Sequence, residues 1–192
     1  MAKNYLIVID VQNDFINGAF KNEEAQNAVS RIYSAIINHK GPIIATMDTH
    51  TTIDINSLEI STFGKHCMIG TFGWNMPENI LNALSMHGNY CGYTTKQSFG
   101  SMKLPELIKK IEENTNINIE SAKEYSPNFT LVGFDTDICV ISNALILRAA
   151  FPNSVITVYS DCCAGTTEEN HIAALNVMKS CNITVKQLYE NM

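Results

Sequence analysis

Apolar residues in this chain fall into short continuous runs, separated by longer stretches in which they recur every three or four positions. The runs near 4–10, 42–47, 90–95, 128–134, 154–160 and 183–187 read as strands. The stretches near 22–39, 77–86, 104–113, 138–151 and 168–180 read as helices, with Ile32, Ala35 and Ile36 spaced for one buried face and Ile172, Leu175 and Val177 to Met178 for another. Asp137 and Thr167 stand where amino-terminal caps belong, and Gly41 with Pro42 is a stop signal. Regular alternation of β and α units predicts an α/β fold of three layers, α/β/α, around a mainly parallel six-stranded sheet of Rossmann-like type. One segment, 48–76, is too long and too weakly periodic to be an ordinary connection, and loops of that kind carry function or are disordered.

The pattern places chemistry at the ends of the apolar runs. Asp10 ends Tyr5-Leu6-Ile7-Val8-Ile9, Lys96 ends Tyr90-Cys91-Gly92-Tyr93-Thr94-Thr95, and Cys139 lies just past the run that ends at Phe134. If those runs are neighbouring parallel strands, a carboxylate, an ammonium and a thiol meet at the carboxyl edge, where open α/β sheets bind ligands. A neutral thiol with a pKa of about 8.5 is a poor nucleophile, so Cys139 needs a proton acceptor or a nearby cation. Asp10 can supply the first and Lys96 the second.

Composition narrows the partner. A length of 192 residues with 45% hydrophobic content suits one domain, residues 1–192, with one substantial core. Thirteen basic against nineteen acidic side chains leave a net charge of -6 with no dense basic run, which argues against nucleic acid and anionic membrane and for a small molecule. The amino terminus, Met1-Ala2-Lys3-Asn4, runs directly into a strand without signal-peptide character, so the six cysteines are expected to be free thiols in a reducing cytoplasm. No apolar stretch reaches the roughly 20 residues a bilayer span requires.

The excursion at 48–76 holds Asp48-Thr49-His50, then Glu59 and His66. Two imidazoles and two carboxylates suit a borderline divalent cation, Zn²⁺, Mn²⁺ or Fe²⁺, better than Ca²⁺ or Mg²⁺. The plainer reading is a polar loop in which the acids cap turns and the histidines face solvent.

From Tyr5 to Val185 the chain resembles the isochorismatase-like cysteine hydrolases, and within them the nicotinamidases. Three ordered motifs carry the resemblance: Val8-Ile9-Asp10-Val11-Gln12-Asn13-Asp14-Phe15, Thr95-Lys96-Gln97-Ser98-Phe99-Gly100-Ser101 and Thr136-Asp137-Ile138-Cys139-Val140. The resemblance implies a catalytic triad of Asp10, Lys96 and Cys139. It also implies a single metal ion, zinc before manganese or iron, on Asp48, His50, Glu59 and His66, with Asp54 and Asn56 as second choices for the third ligand. A non-proline cis peptide between Phe134 and Asp135 is implied as well, aiming the amides of Asp135 and Cys139 at an oxyanion. Relatives assemble as homo-oligomers.

The activity implied is hydrolysis of nicotinamide to nicotinate and ammonia through a thioester. The alternatives are another small amide, ureido or carbamoyl compound or isochorismate-like substrate on the same fold, or a non-catalytic ligand-binding relative. A flat aromatic amide needs apolar walls, for which Phe15 and Trp74 are the first candidates and Phe20 and Tyr93 weaker ones. Asp135 departs from the small uncharged residue common at its position in relatives: pointing into the site, its carboxylate would repel anionic substrates and raise the pKa of Cys139, and pointing away, only its amide would matter.

Overall fold

A computed structural model describes residues 3–114 and 126–189. Strands β1 (Asn4–Ile9), β2 (Ile43–Asp48), β3 (Tyr90–Lys96), β4 (Asn128–Phe134), β5 (Ile156–Ala164) and β6 (Thr184–Lys186) form one sheet in the order β3-β2-β1-β4-β5-β6, every neighbouring pair parallel. Helices α1 (Asn13–Ile16), α2 (Glu23–Asn38), α3 (Leu58–Phe63), α4 (Glu78–Met86), α5 (Lys103–Glu113), α6 (Ile141–Ala150) and α7 (Glu168–Ser180) fill the connections. Strand order reverses between β1 and β4, and that reversal opens a crevice beyond their carboxyl ends.

The central strands are apolar at consecutive positions because both sheet faces are covered. Along β1, Leu6 and Val8 point into one layer with Ala28, Ile32 and Ile36 of α2 and Ile80 and Leu84 of α4. Tyr5, Ile7 and Ile9 point into the other, against Leu104 and Ile108 of α5, Ala144 and Leu147 of α6 and Met178 of α7. Each fully buried aliphatic side chain contributes about 1.5–3 kcal/mol. Helix α2 starts where the Asn22 side chain accepts from the Glu24 and Ala25 amides, with Glu23 and Glu24 favourably placed in its first turn.

Several local expectations change in the folded chain. Thr167 does cap α7, accepting from the Asn170 amide at 3.1 Å, but Asp137 caps nothing. It lies within a π-type turn, Thr136–Val140, and accepts from the amide and hydroxyl of Thr166 at 2.8 and 2.6 Å. On α7 the buried stripe is Ala174, Leu175 and Met178, while Ile172 and Val177 are half exposed. At about 100° per residue, Val177 lies opposite Leu175 and Ile172 falls beyond the stripe's edge. Strand β5 runs further than its apolar pattern, because a register shift after Leu131 lets Cys163 and Ala164 pair with Gly133 and Phe134. The 48–76 excursion contains a 3-10 turn (Thr52–Asn56), α3 and a bridge between His50 and Met68.

Gly133 marks where β4 passes closest to β1. Its φ is 129°, and a Cβ there would stand 1.9 Å from the Ile9 carbonyl oxygen. Gly133→Ala is expected to cost on the order of 2–4 kcal/mol, from strain plus collision with backbone that cannot yield. Gly88, whose added Cβ would meet nothing within 4 Å, is the control. Urea denaturation that finds both alanine variants equally stable would show that this approach does not constrain the sheet.

Candidate active site

Three strand ends deliver three side chains to the crevice. Asp10 directly follows β1, with a left-handed φ of 49° that an aspartate tolerates better than most residues and that turns the chain away from the sheet. Lys96 is the last residue of β3, and Cys139 lies in the π-type turn after β4. The Lys96 ammonium stands 2.7 Å from Asp10 Oδ2, 3.3 Å from Asp48 Oδ1 and 3.4 Å from Cys139 Sγ. The Thr46 hydroxyl donates to the other Asp10 oxygen at 2.7 Å. All four of Asp10, Asp48, Lys96 and Cys139 are buried. The Phe134–Asp135 peptide bond is cis.

Burial raises the pKa of Asp10, and the Lys96 cation offsets this only in part. Burial lowers the pKa of Lys96, but the carboxylates of Asp10 and Asp48 hold it well above the usual lysine range. For Cys139, burial pushes the thiol well up; Lys96 pulls it down, while Asp10 and Asp48 push it up further. One cation among two carboxylates therefore keeps the resting thiol protonated, and Lys96 limits the rise without producing a standing thiolate.

Asp48 also faces the opposite way. Its Oδ2 lies 3.2 Å from both His50 Nε2 and His66 Nε2, and Glu59 Oε1 lies 3.7 and 3.6 Å from the same nitrogens. Donors about 2.1 Å from a common tetrahedral cation are roughly 3.4 Å apart, so the four residues fit a zinc-like ion. Asp48 Oδ2 and His50 Nε2 are buried yet not aligned for hydrogen bonding, as expected of lone pairs directed at a common point. His66 Nδ1 bonds the Gly64 carbonyl oxygen at 2.8 Å, which orients Nε2 toward the group. The two carboxylates raise His50 to about 9. They also outweigh the burial of His66, which reaches about 10. Among the described residues this is the cluster able to hold a metal ion. Asp54 and Asn56 stand outside it, and Asp54 instead closes a turn through the amide and hydroxyl of Thr51.

A cleft of about 600 Å³ opens over these groups. Phe15 and Phe20 form one wall, their rings stacked at 5.9 Å, and Phe20 also packs 4.8 Å from the His66 ring. Phe63 and Phe99 meet edge to face at 6.0 Å on another side. Trp74, expected as a wall, is not part of the lining. Its indole N–H donates to the Thr49 hydroxyl at 2.9 Å and its ring packs on the core, so it braces the strand end beneath the site.

Two polar residues inside the first motif carry positioning that spacing does not reveal. Gln12 accepts from the Asp48 amide and donates to the Asp48 and Trp74 carbonyl oxygens, at 2.8, 2.8 and 2.9 Å. Asp14 accepts from the Cys67 amide at 2.7 Å and from Ala19 at 3.0 Å, joining the histidine loop to the phenylalanine wall. The available signal was polarity itself, since an amide and an acid directly after a buried strand need partners.

The isochorismatase domain model matches residues 4–188. The structure of a nicotinamidase from Bacillus subtilis is similar at 26% identity and a TM-score of 0.78, over 96% of this chain and 99% of that one. Two others share the fold: a Pyrococcus horikoshii pyrazinamidase in complex with zinc (23% identity, TM-score 0.72, 97% and 99% covered) and a Thermoplasma acidophilum N-carbamoylsarcosine amidase (22%, 0.72, 98% and 98%). A search of curated proteins finds no match.

Burial, reinforced by Asp137 and Asp10, raises Asp135 to about 7. A carboxyl whose folded pKa lies above its unfolded value adds nothing unfavourable below about pH 4, destabilises increasingly as pH rises from there to about 7, and adds a constant penalty above it. Asp135→Asn is therefore expected to match the wild type in stability near pH 4 and to exceed it by a few kcal/mol at pH 8. Denaturation curves separated by a constant amount across that range would mean the side chain ionises freely.

Proposed function

The chain belongs to the isochorismatase family, and we propose that this hydrolase is a cysteine-dependent amidase, cleaving nicotinamide or a closely related planar amide to the carboxylate and ammonia. The observation that carries the reading is the Lys96 ammonium held between Asp10 and Cys139 at the floor of a phenylalanine-walled cleft. A non-catalytic binding module has no use for a buried ion pair against a thiol, an arrangement costly to maintain. The aromatic walls suit a flat ring, and the similarity to a nicotinamidase supports the choice of substrate.

The chemistry follows from the protonation states. With its thiol neutral at rest, Cys139 becomes a nucleophile as Asp10 accepts its proton, while Lys96 compensates the negative charge passing between sulfur and carboxylate. Sulfur bonds to the amide carbon, and the carbonyl oxygen becomes an oxyanion for which the Asp135 and Cys139 backbone amides are the proposed donors. Asp10 returns the proton to the amide nitrogen, the C–N bond breaks and ammonia departs, leaving a thioester. Water then adds to the thioester with Asp10 as base, the C–S bond breaks, and the proton returns to sulfur as the acid leaves. A divalent ion on Asp48, His50, Glu59 and His66, with zinc the first choice, would supply a Lewis-acid contact to a ring nitrogen. Asp48, touching both Lys96 and the histidines, ties the residues that would hold the ion to the cluster that holds the thiol.

Ammonia release from nicotinamide is the direct test, and Cys139→Ala is expected to abolish it in a folded protein. Asp10→Asn is expected to lower turnover by about 10²-fold or more, yet to leave Cys139 at least as reactive toward iodoacetamide. The second outcome follows because the Asp10 charge and hydrogen bond both raise the thiol's pKa. Near-normal turnover in the folded Asp10→Asn protein would remove Asp10 from the proton path.

His50→Ala and His66→Ala are each expected to lose one stoichiometric divalent ion and most activity on pyridine amides while Cys139 still labels. Protein free of metal by elemental analysis and fully active in a strong chelator would reduce the four residues to a polar cluster.

A further inference from the structure

Most of the polar side chains that line the cleft are already committed. Asn22 caps α2 with its oxygen and donates its N–H to Gly165, and Thr166 is bonded to Asp137. Asp48, Glu59 and His66 face one another, and Cys139 is held by Lys96. Asp135 is the exception. It is only 7% exposed, it lines the cleft, and among the described residues its carboxyl has no hydrogen-bond or ion-pair partner. Its oxygens open on the cleft and are not among the fully enclosed polar atoms that lack a partner, so water can solvate them in the free protein, and a ligand that displaces that water must offer a donor in its place or forfeit the hydrogen bond.

We propose that Asp135 is the specificity-determining residue of this site: its carboxyl accepts a hydrogen bond from an N–H on the part of the substrate that is not hydrolysed. The substrate class is then a small planar amide bearing a second nitrogen donor, amino-substituted or ureido in type, and amides bearing a carboxylate are rejected. This rests on the amidase reading only in taking the ligand to be an amide. The surroundings agree with the sign, since after burial the charges that weigh most on the Asp135 carboxyl are those of Asp137 and Asp10, so a further carboxylate brought by a ligand would meet like charge and a donor would not. Of the polar groups lining the cleft, Lys21 and Glu23 are exposed and satisfied by water, which leaves Asp135 as the buried one able to discriminate.

The test compares wild type, Asp135→Asn and Asp135→Ala on three probes: nicotinamide, amino-substituted nicotinamides and a nicotinamide carrying a ring carboxylate. Binding is read as protection of Cys139 from alkylation, and turnover as ammonia release. Wild type is expected to prefer the amino-substituted amides. Asp135→Ala should weaken their protection by about tenfold or more relative to nicotinamide and strengthen that of the carboxylate-bearing probe, with Asn intermediate because its carbonyl oxygen still accepts. Parallel changes on all three probes, or no change, would overturn the proposal, since a merely structural role cannot reorder ligands. Protection that depends on Asp135 without ammonia release from any probe would sustain the specificity role and sink the amidase reading. Ammonia release with no reordering would do the reverse.

Discussion

One buried ammonium organises the site. Lys96 meets Asp10, Asp48 and the Cys139 sulfur at once, and without it two carboxylates and a thiol would share a volume from which water is excluded. Breaking a buried pair by removing one partner typically costs about 3–5 kcal/mol, so each of these side chains is tied to the others energetically as well as chemically. The same contacts explain why the thiol rests protonated. Its desolvation exceeds what a single shared cation returns, and activation must be a proton transfer to Asp10 in the proposed mechanism.

The sheet makes that ammonium possible. Lys96 comes from the edge strand β3, two strands away from Asp10 at the end of β1, and its long side chain spans β2 to reach the crevice. β4 lies on the other side of β1, close enough that only a glycine fits at 133, and this brings the turn carrying Cys139 up to the Asp10 side chain. The left-handed residue at Asp10 then turns the chain into α1, which carries Phe15 to the cleft wall. Strand order, one glycine and one unusual backbone angle thus set the positions of acid, base and wall together.

Asp48 joins two chemistries that could have been separate. One oxygen belongs to the Lys96 cluster and the other to the two histidines, so charge at either centre is felt at the other. Gln12 fixes the backbone of Asp48 on both its amide and carbonyl sides, and Asp14 fixes the loop after His66. These two residues act through others, which is why their importance shows in hydrogen bonds and not in any pattern of reactive groups.

Much of this was legible along the chain because it depends on local order. Consecutive apolar residues announced strands buried on both faces, the alternation of strand and helix announced a parallel sheet, and reactive residues at the ends of apolar runs announced a shared edge. The motif around Asp10, Lys96 and Cys139 and the acid and histidine content of 48–76 pointed to the same residues that the fold brings together. Tertiary structure alone decided what depends on distance and burial. It turned Trp74 from the cleft to a brace on Thr49, added Phe63 and Phe99 to the walls beside Phe15 and Phe20, sent Asp137 to Thr166 instead of a helix end, and left Asp135 without a side-chain partner among the described residues. Local sequence determines which residues prefer strand, helix or turn, because those preferences act over a few neighbouring positions. Which side chains meet, and whether burial or a shared cation prevails at Cys139, is set by strand register and solvent exclusion between residues far apart in the chain.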